Sequence, residues 1–304
     1  MSTSALSVDP LWPRAGDWPA LDSLAEGARA DLTLLGIPTW RTSLSATGAH
    51  ETPGAVRAAL RRYSQQAAGL AVEELRLADA GDVAEPDGEE GEARATAAMR
   101  EAAARSTVTV AVGGDNALTV PAALGAYGAD LGTAGLITLD AHHDLRDGVS
   151  NGSPVRRLVE AGLAGARVVQ IGIADFANSA AYTRRAADLG ITVVTRDALH
   201  GRPWEDVMAE ALEIAGAAGG PVHVDLDVDV CDRSVAPGCP ASVPGGLAAW
   251  ELRRVARLAA ASPLVRSLDI AEVDATADAA DERTVRLAAL LVLEAAAGVA
   301  ARAS

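Results

Sequence analysis

Short apolar runs rich in Val, Ile and Thr alternate along the chain with longer stretches in which apolar residues recur three and four positions apart. The short runs predict β-strands, and the longer stretches, such as TPGAVRAALRRYSQQ, predict amphipathic helices. A helix between two strands is the usual crossover of a parallel sheet, so we expect a mainly parallel sheet with helices on both faces. The predicted strands cover residues 31–38, 75–81, 107–114, 134–140, 166–173, 191–195, 221–228 and 265–273.

Periodicity alone leaves open whether these units close into a barrel or remain an open sheet. No linker or composition break divides the 304 residues, so we expect one domain over residues 1–304, with residues 1–30 as an N-terminal extension. The start of the chain has neither a basic cluster nor an apolar stretch, which argues against a secretory signal. Glu294 and Arg302 interrupt the apolar segment 287–304, so we expect a packed helix there and not a membrane span.

The composition limits the partners and the compartment. A formal net charge of -15 argues against nucleic acid and anionic membranes as partners, because both require a basic surface. A small acidic substrate needs only a local group of arginines, so it remains compatible with this charge. Cys231 and Cys239 do not make a disulfide framework, so we expect a cytoplasmic protein.

Acidic and metal-binding residue types occur where four of the predicted strands end. These segments are GGDN (113–116), DAHHD (140–144), DLDVD (225–229) and AEVD (271–274). In both α/β architectures the active site lies at the carboxyl ends of the strands. We therefore expect the four segments to meet in one site.

In the segment 140–144, an extended backbone would place Asp140, His142 and Asp144 on one side and His143 on the other. Two carboxylates and an imidazole would then lie within a few ångströms of one another. A single histidine at a strand end is more often a structural residue than a ligand. The flanking aspartates favour the ligand interpretation.

The segment 225–229 repeats the pattern, with Asp225, Asp227 and Asp229 on one face of the predicted strand. A strand inside a parallel sheet is normally apolar on both faces, so this acidic face is unusual. One explanation is an edge strand exposed to solvent. The other is a strand that delivers carboxylates to a site.

The combined pattern indicates a metal centre. Carboxylates that converge in a partly buried site repel one another, so they must bind protons or share a cation. One imidazole among many carboxylate oxygens suits a hard ion such as Mn²⁺ better than Zn²⁺, and bridging aspartates suggest two ions about 3.5–4 Å apart. GGDN alone also fits a simple turn in which Asp115 or Asn116 caps a helix.

In order along most of the chain, the motifs resemble those of the arginase–agmatinase–formimidoylglutamase (ureohydrolase) superfamily. The resemblance implies an arginase-like, three-layer α/β/α fold with an open, eight-stranded, mainly parallel sheet, and a homo-oligomer, either a trimer or a hexamer. The motifs are GIPTWRTSLSATGAHETPGAVRAAL (36–60), DAGDV (79–83), GGDN, DAHHDLRDG (140–148), NGSPVRRL (151–158), DLDVDVCDRSVAPGCPASVPGGL (225–247) and DIAEVD (269–274).

Within the superfamily, several details are most similar to formimidoylglutamases, which split N-formimidoyl-L-glutamate into L-glutamate and formamide in histidine degradation. These details are DAHHDLR, SNGSPVRRL, QIGIADFANSAAY (170–182) and APGCP (236–240).

Carried over motif by motif, the resemblance implies two Mn²⁺ ions, with Asp140 and Asp227 bridging them. Most of the superfamily has a metal-binding histidine where this chain has Asn116, so we expect one ion to be held more weakly. His143 either replaces that ligand or supports the metal loop. The full implied set of ligands is Asn116, Asp140, His142, Asp144, Asp227 and Asp229.

The resemblance further implies that a metal-bridging hydroxide attacks the formimidoyl carbon. Asp144 would hold this nucleophile and accept its proton, and Glu272 would pair with the amidine end of the substrate, unless Glu272 is a surface carboxylate. Arg146 is the best candidate to bind a substrate carboxylate, because a guanidinium can hold a carboxylate with two hydrogen bonds. The further candidate donors to the substrate are Asn151, which replaces a proton-relaying histidine of arginases, Ser153 and Asn178.

Three other hypotheses remain open at this stage. The first is another amidine or guanidine hydrolase, such as an agmatinase or an arginase. The second is a metal-poor, non-catalytic relative, which Asn116 and Asn151 would suit. The third is a nucleotide-binding protein that uses VGGDN, although this segment lacks the G-x-G-x-x-G loop. Arg156 and Arg157 fit either substrate binding or a charged helix surface.

Overall fold

Eight strands form one open sheet in the structure, a computed structural model that describes residues 8–302. Every pair of neighbouring strands is parallel, and the order is β2-β1-β3-β8-β7-β4-β5-β6. All eight predicted strands and the open parallel sheet are thereby confirmed. The strands are β1 (Ala30–Ile37), β2 (Leu77–Asp82), β3 (Ser106–Gly113), β4 (Gly135–Leu139), β5 (Val168–Ile173), β6 (Thr192–Thr195), β7 (Val222–Asp227) and β8 (Val265–Ala271).

Helices cover both faces of the sheet, because the strand residues alternate between two buried layers. Val224 and Leu226 of β7 pack in the larger core with residues of α1, α7, α8 and α9, whereas Leu136 and Val168 pack with residues of α3, α4 and α5. The helices are α1 (Thr52–Leu60), α2 (Gly88–Ala104), α3 (Thr119–Tyr127), α4 (Pro154–Ala161), α5 (Ala180–Asp188), α6 (Arg196–Leu199), α7 (Trp204–Ala215), α8 (Ala249–Ala261) and α9 (Arg283–Ala301).

The C-terminal helix α9 is long and apolar enough to cross a membrane by length and composition, but 78% of its apolar window is buried inside the protein. Its acidic residue Glu294 accepts hydrogen bonds from Arg253 and Arg257 of α8. The prediction of a packed helix is therefore confirmed for the described part of this segment. Residues 1–7 of the expected N-terminal extension and residues 303–304 lie outside the described residues.

The acidic strand β7 is an interior strand, paired with β8 on one side and β4 on the other. The edge-strand explanation for its carboxylates is therefore wrong. Thr138, Asp225 and Asp269 form a buried polar row across the three strands. One row further from the carboxyl edge, His223 lies 2.7 Å from Ser267 Oγ through Nδ1 and 2.9 Å from Asp269 Oδ2 through Nε2. The carboxyl half of this face is thus polar, although it is covered.

Candidate metal centre

A cluster of carboxylates and one imidazole lies at the carboxyl edge of β4 and β7. Asp140 directly follows β4, Asp227 is the last residue of β7, and Asp229 lies in the short 3₁₀ turn after it. Ligand atoms of Asp140, His142 and Asp229 all lie within 4.8 Å of one another. The sheet thus brings together residues that are about 90 positions apart in the sequence.

The segment 140–144 is a loop and not an extended strand end, which corrects the sequence-based expectation. Its backbone is tied to β5, because the N–H of Asp140 donates to Ile171 O at 3.1 Å. Asp144 has a φ of 52°, the left-handed region that non-glycine residues rarely adopt. Asp140, His142 and Asp144 nevertheless converge, because the loop curls over the end of the sheet. Such strained backbone is common at functional sites.

Asp229 connects the two halves of the cluster. Its Oδ1 accepts the N–H of Ala141 at 2.9 Å, and its Oδ2 lies 2.6 Å from Nδ1 of His142. Its own N–H donates to Oδ1 of Asp227 at 2.8 Å, which closes the turn Val228–Val230. The carboxylates of Asp227 and Asp229, which face the site, therefore also fix the turn relative to the loop.

His143 points away from the cluster into a buried polar contact. Its Nδ1 lies 2.7 Å from Oε1 of Gln170, and the Gln170 amide donates back to the carbonyl of His143 at 2.9 Å. The interpretation of His143 as a substitute ligand is therefore wrong, and His143 supports the loop. Asn178 supports the loop as well, because it donates to Ala141 O at 2.8 Å and accepts the N–H of His143 at 3.0 Å. These contacts occupy both ends of the Asn178 amide, which corrects its expected role as a substrate donor.

Asn116 is buried beside the cluster, in the 3₁₀ turn that Asp115 caps by accepting the N–H of Ala117. The Asn116 amide donates to Oδ2 of Asp144 at 2.7 Å, and its carbonyl oxygen accepts from Thr119 at 2.5 Å. In this conformation the amide nitrogen faces the carboxylates. Coordination through the oxygen requires the amide to rotate, so Asn116 remains a predicted weak ligand.

Glu272 follows β8 and faces the same space with a φ of 59°. It is buried, so the surface interpretation of this residue is wrong. Its Oε1 accepts the N–H of Asn116 at 2.9 Å and the side-chain amide of Asn151 at 2.7 Å. Asn151 in turn accepts the N–H of Leu44 at 3.0 Å, which ties the loop before α1 to the site.

A cavity of about 270 Å³ opens above the cluster. Arg146, the predicted substrate-binding arginine, lines its wall. Arg146 is exposed, and its side chain makes no ion pair with any residue of the described chain. Gly152 lies against the stem of this arginine, since a Cβ atom at Gly152 would lie 2.7 Å from Cδ of Arg146. The cavity therefore combines a floor of carboxyl groups with an arginine that forms no ion pair at its wall.

Three other residues considered for substrate binding form hydrogen bonds within the protein instead. Ser153 is fully buried, and its hydroxyl donates to Ser150 O at 2.8 Å, so the expectation that it binds substrate is wrong. Arg157 forms two hydrogen bonds with Glu92, at 3.0 and 2.6 Å. Arg156 donates to backbone carbonyls and to Glu160. Neither arginine lines the cavity.

Burial raises the pKa of four carboxyl groups in the cluster, because the charged form loses its hydration. The pKa of Asp140 rises to about 7, with the charge of Asp229 as a further cause. The pKa of Glu272 rises to about 8, with Asp115 as a further cause. For Asp144 and Asp227, burial and a neighbouring aspartate raise the pKa well above its ordinary value. Without a cation, burial therefore favours the protonated form of these groups.

The protonation of His142 indicates that the cluster requires a positive charge. Burial lowers the pKa of its imidazole, but Asp229 and Asp140 outweigh burial and raise the pKa to about 12. The imidazolium therefore takes the place of a cation among the carboxylates. Oδ2 of Asp140 is buried without a hydrogen-bond partner among the described residues. A divalent ion would replace the proton of His142 and engage this free oxygen, so the donor set fits a hard metal ion.

The raised pKa values predict a pH-dependent affinity for Mn²⁺. The ion must displace the proton of Asp140 below a pH of about 7, and the proton of His142 throughout the range from pH 6 to pH 8. The affinity should therefore fall by at least about tenfold between pH 7 and pH 6, since each displaced proton contributes about tenfold per pH unit. Calorimetric titrations in buffers of different ionisation enthalpy would measure the affinity and the released protons together. Equal affinities at pH 6 and pH 8 would contradict this prediction.

Some residues of the site were not predicted from the sequence. Gln170 gave a weak signal, as a polar residue within the apolar run VVQIGI. Leu44, Ser45 and Tyr182 also line the cavity, but nothing in their local sequence distinguishes them from ordinary loop and helix residues. Only the folded chain brings them to the site.

The chain is similar in sequence and in fold to proteins of one known family. The model of the arginase family matches residues 30–298. A formimidoylglutamase of Halalkalibacterium halodurans is 34% identical over 280 residues, which are 88% of this chain and 87% of that protein. The crystal structure of formimidoylglutamase from Bacillus subtilis has a TM-score of 0.88 at 31% identity, and the match covers 99% of this chain and 95% of that chain.

A crystal structure of Trypanosoma cruzi formiminoglutamase with Mn²⁺ has a TM-score of 0.83 at 26% identity. The match covers 94% of this chain and 100% of that chain. The family model covers most of the chain, and the relatives are similar over nearly their full length. The chain belongs to the arginase family.

Proposed function

We propose that this chain is a Mn²⁺-dependent hydrolase that cleaves N-formimidoyl-L-glutamate into L-glutamate and formamide in histidine degradation. The observation that carries the proposal is the unpaired Arg146 at the wall of a cavity whose floor is a carboxylate cluster. This combination suits a substrate with a cationic amidine at one end and carboxylates at the other. The similarity to the formimidoylglutamases of two bacteria supports the same substrate.

The metal would be held by the residues at the carboxyl edge of the sheet. We propose two Mn²⁺ ions per chain, of which the one beside Asn116 is held more weakly, because an amide oxygen is a weaker ligand than an imidazole. Bound in this way, the ions lower the pKa of water toward neutrality and so supply a nucleophile. The proposed ligands are Asp140, His142, Asp144, Asp227 and Asp229, with Asn116 as the weak one.

The chain's own residues orient the substrate. Oε1 of Glu272 is fixed by Asn116 and Asn151, so its Oε2 can accept hydrogen bonds from the amidinium group. Arg146 can hold a carboxylate at the other end with two hydrogen bonds. Agmatine has no carboxylate to occupy Arg146, which favours the diacid over a simple amine.

Asp144 accepts the proton in this proposal. Water adds through its oxygen to the formimidoyl carbon, and Asp144 takes up the proton that the water loses. The bond between this carbon and the α-nitrogen of glutamate then breaks, and the nitrogen leaves with a proton. The carbon keeps its other nitrogen and becomes formamide. Asp144 lines the substrate cavity, which supports this role.

A substrate panel separates this proposal from a guanidine hydrolase. Mn²⁺-loaded protein is given N-formimidoyl-L-glutamate, L-arginine or agmatine, and formamide, urea and ammonia are measured. Formamide from the first substrate alone supports the proposal. Urea from arginine or agmatine, or ammonia as the main product, identifies another amidine or guanidine hydrolase. Fewer than one tightly bound ion per chain and no product with any substrate would identify a non-catalytic relative.

We also propose that the protein acts in the cytoplasm as a homo-oligomer, a trimer or a hexamer. Cys231 and Cys239 are free and buried, which suits a reducing compartment. Light scattering of the purified chain would give its oligomeric state.

A further inference from the structure

Arg196 lies directly behind the turn that carries Asp229. It is the first residue of the short helix α6, and its guanidinium donates to three backbone carbonyls. Nε donates to Gly172 O at 3.1 Å, and the second terminal nitrogen donates to Asp229 O at 3.3 Å and to Val230 O at 3.2 Å. One side chain therefore links the end of β5 to the turn after β7.

The end of β5 is also the support of the Asp140 loop. Gly172 has a φ of 99°, and a Cβ atom there would lie 2.4 Å from Cγ2 of Val230 and 3.3 Å from Asp140 O. Gly172 lies where the pairing between β5 and β6 shifts register. The carbonyl of Ala141 accepts the N–H of Ala174 at 3.0 Å. The loop, the turn and the end of β5 thus meet at one close-packed junction, and Arg196 bonds to two of its three parts.

An arginine suits this position better than any other residue. Its planar fork presents several donors at fixed angles, so it can hold carbonyls from two separate segments together. Arg196 is half-buried and forms no ion pair with the described residues. Its charge lies close enough to Asp229 to interact with it. The functional mechanism above does not use this cation, since it lines a different cavity, of about 640 Å³, and not the substrate cavity.

We propose that Arg196 is a positioning residue of the metal centre, which fixes the turn bearing Asp229 relative to the loop bearing Asp140 and His142. The distance between these ligands depends on the junction, because Asp229 contacts the loop directly, through the N–H of Ala141 and through Nδ1 of His142. Without the guanidinium, the carbonyls of Asp229 and Val230 lose their donor and the turn becomes more mobile. The distance between the ligand atoms of Asp229 and those of the loop is then no longer fixed. This inference rests on the metal-binding part of the proposed function and not on the identity of the substrate.

The test is the Mn²⁺ affinity of Arg196→Met, measured by calorimetry at pH 8 together with the thermal midpoint of the metal-free protein. Residues that orient metal ligands typically contribute 10- to 100-fold to metal affinity, so we expect the dissociation constant to rise by about that factor. Arg196→Lys keeps the positive charge. The single nitrogen of a lysine cannot donate both to the end of β5 and to the turn after β7. We expect its affinity to be reduced as well, by about tenfold.

Arg202→Met is the matched control. Arg202 lines the same cavity but pairs with Glu210 at 2.6 Å and does not bond to the turn, so its loss should leave the Mn²⁺ affinity unchanged. Wild-type affinity in Arg196→Met or in Arg196→Lys would overturn the inference, even if the metal-free protein melts earlier, because a purely structural role predicts that result. Failure of the wild-type chain to bind Mn²⁺ would overturn both this inference and the proposed function.

Discussion

Asp227→Ala should reduce formamide release by more than about 10³-fold and lower the Mn²⁺ content of the chain. Asp227 ends β7, faces the cavity and is the proposed bridging ligand between the two ions. Loss of this carboxylate would weaken metal binding and with it the activation of water, which without a metal supplies almost no hydroxide at neutral pH. The measurements are formamide release and metal analysis after dialysis against Mn²⁺.

The stability of the metal-free variant distinguishes this effect from misfolding. The folded-state pKa of Asp227 is raised by burial and by Asp229, so at neutral pH this carboxyl group opposes folding in the absence of metal. Its removal should therefore leave the metal-free melting temperature unchanged or raise it, although the N–H of Asp229 loses its acceptor. Asp188→Ala, at an exposed position on α5, is the control and should keep both metal and activity. Normal turnover by Asp227→Ala would refute the assignment of this ligand.

Arg146→Ala should raise KM for N-formimidoyl-L-glutamate by about tenfold while the Mn²⁺ affinity stays as in the wild type. A hydrogen-bonded pair with a charged group supports an effect of this size, and the exposure of Arg146 keeps it at the lower end of the usual range. Steady-state kinetics and a Mn²⁺ titration of the same preparation check the two halves of the prediction.

Two variants sharpen this test. Arg146→Lys should fall between the wild type and Arg146→Ala, because an ammonium keeps the charge but loses the double hydrogen bond. Arg157→Ala is the matched control, since Arg157 pairs with Glu92 outside the cavity and its loss should not change KM. If KM is unchanged in Arg146→Ala, another residue binds the substrate carboxylate.

The sequence was sufficient to predict the eight strands, because most of them are short apolar runs between amphipathic helices. It also predicted that Asp140, Asp227 and Glu272 would meet, since parallel strands end at the same edge of the sheet. The order of the strands and helices and the position of each residue at a strand end are enough to predict this meeting. The choice of an open sheet over a barrel came from the resemblance to the arginase family, because periodicity alone does not distinguish the two.

Other features of the site depend on tertiary contacts that no local pattern encodes. Asp144 adopts a positive φ because the loop is tied to β5, whereas the sequence suggested an extended segment. Ser153 resembles an exposed donor in the sequence but is fully buried beneath its own turn. The bond from Leu44 to Asn151 joins residues 107 positions apart. The contacts of Arg196 likewise appear only when β5 and β7 are brought together in space.

The most direct test is formamide release from N-formimidoyl-L-glutamate during stepwise addition of Mn²⁺ to the metal-free protein. If the carboxylate cluster and His142 hold a pair of ions for hydrolysis, release should be absent without metal, rise as Mn²⁺ binds and level off at two ions per chain. A chain that carries two Mn²⁺ ions and releases no formamide, or one that releases it equally well without metal, would contradict the account.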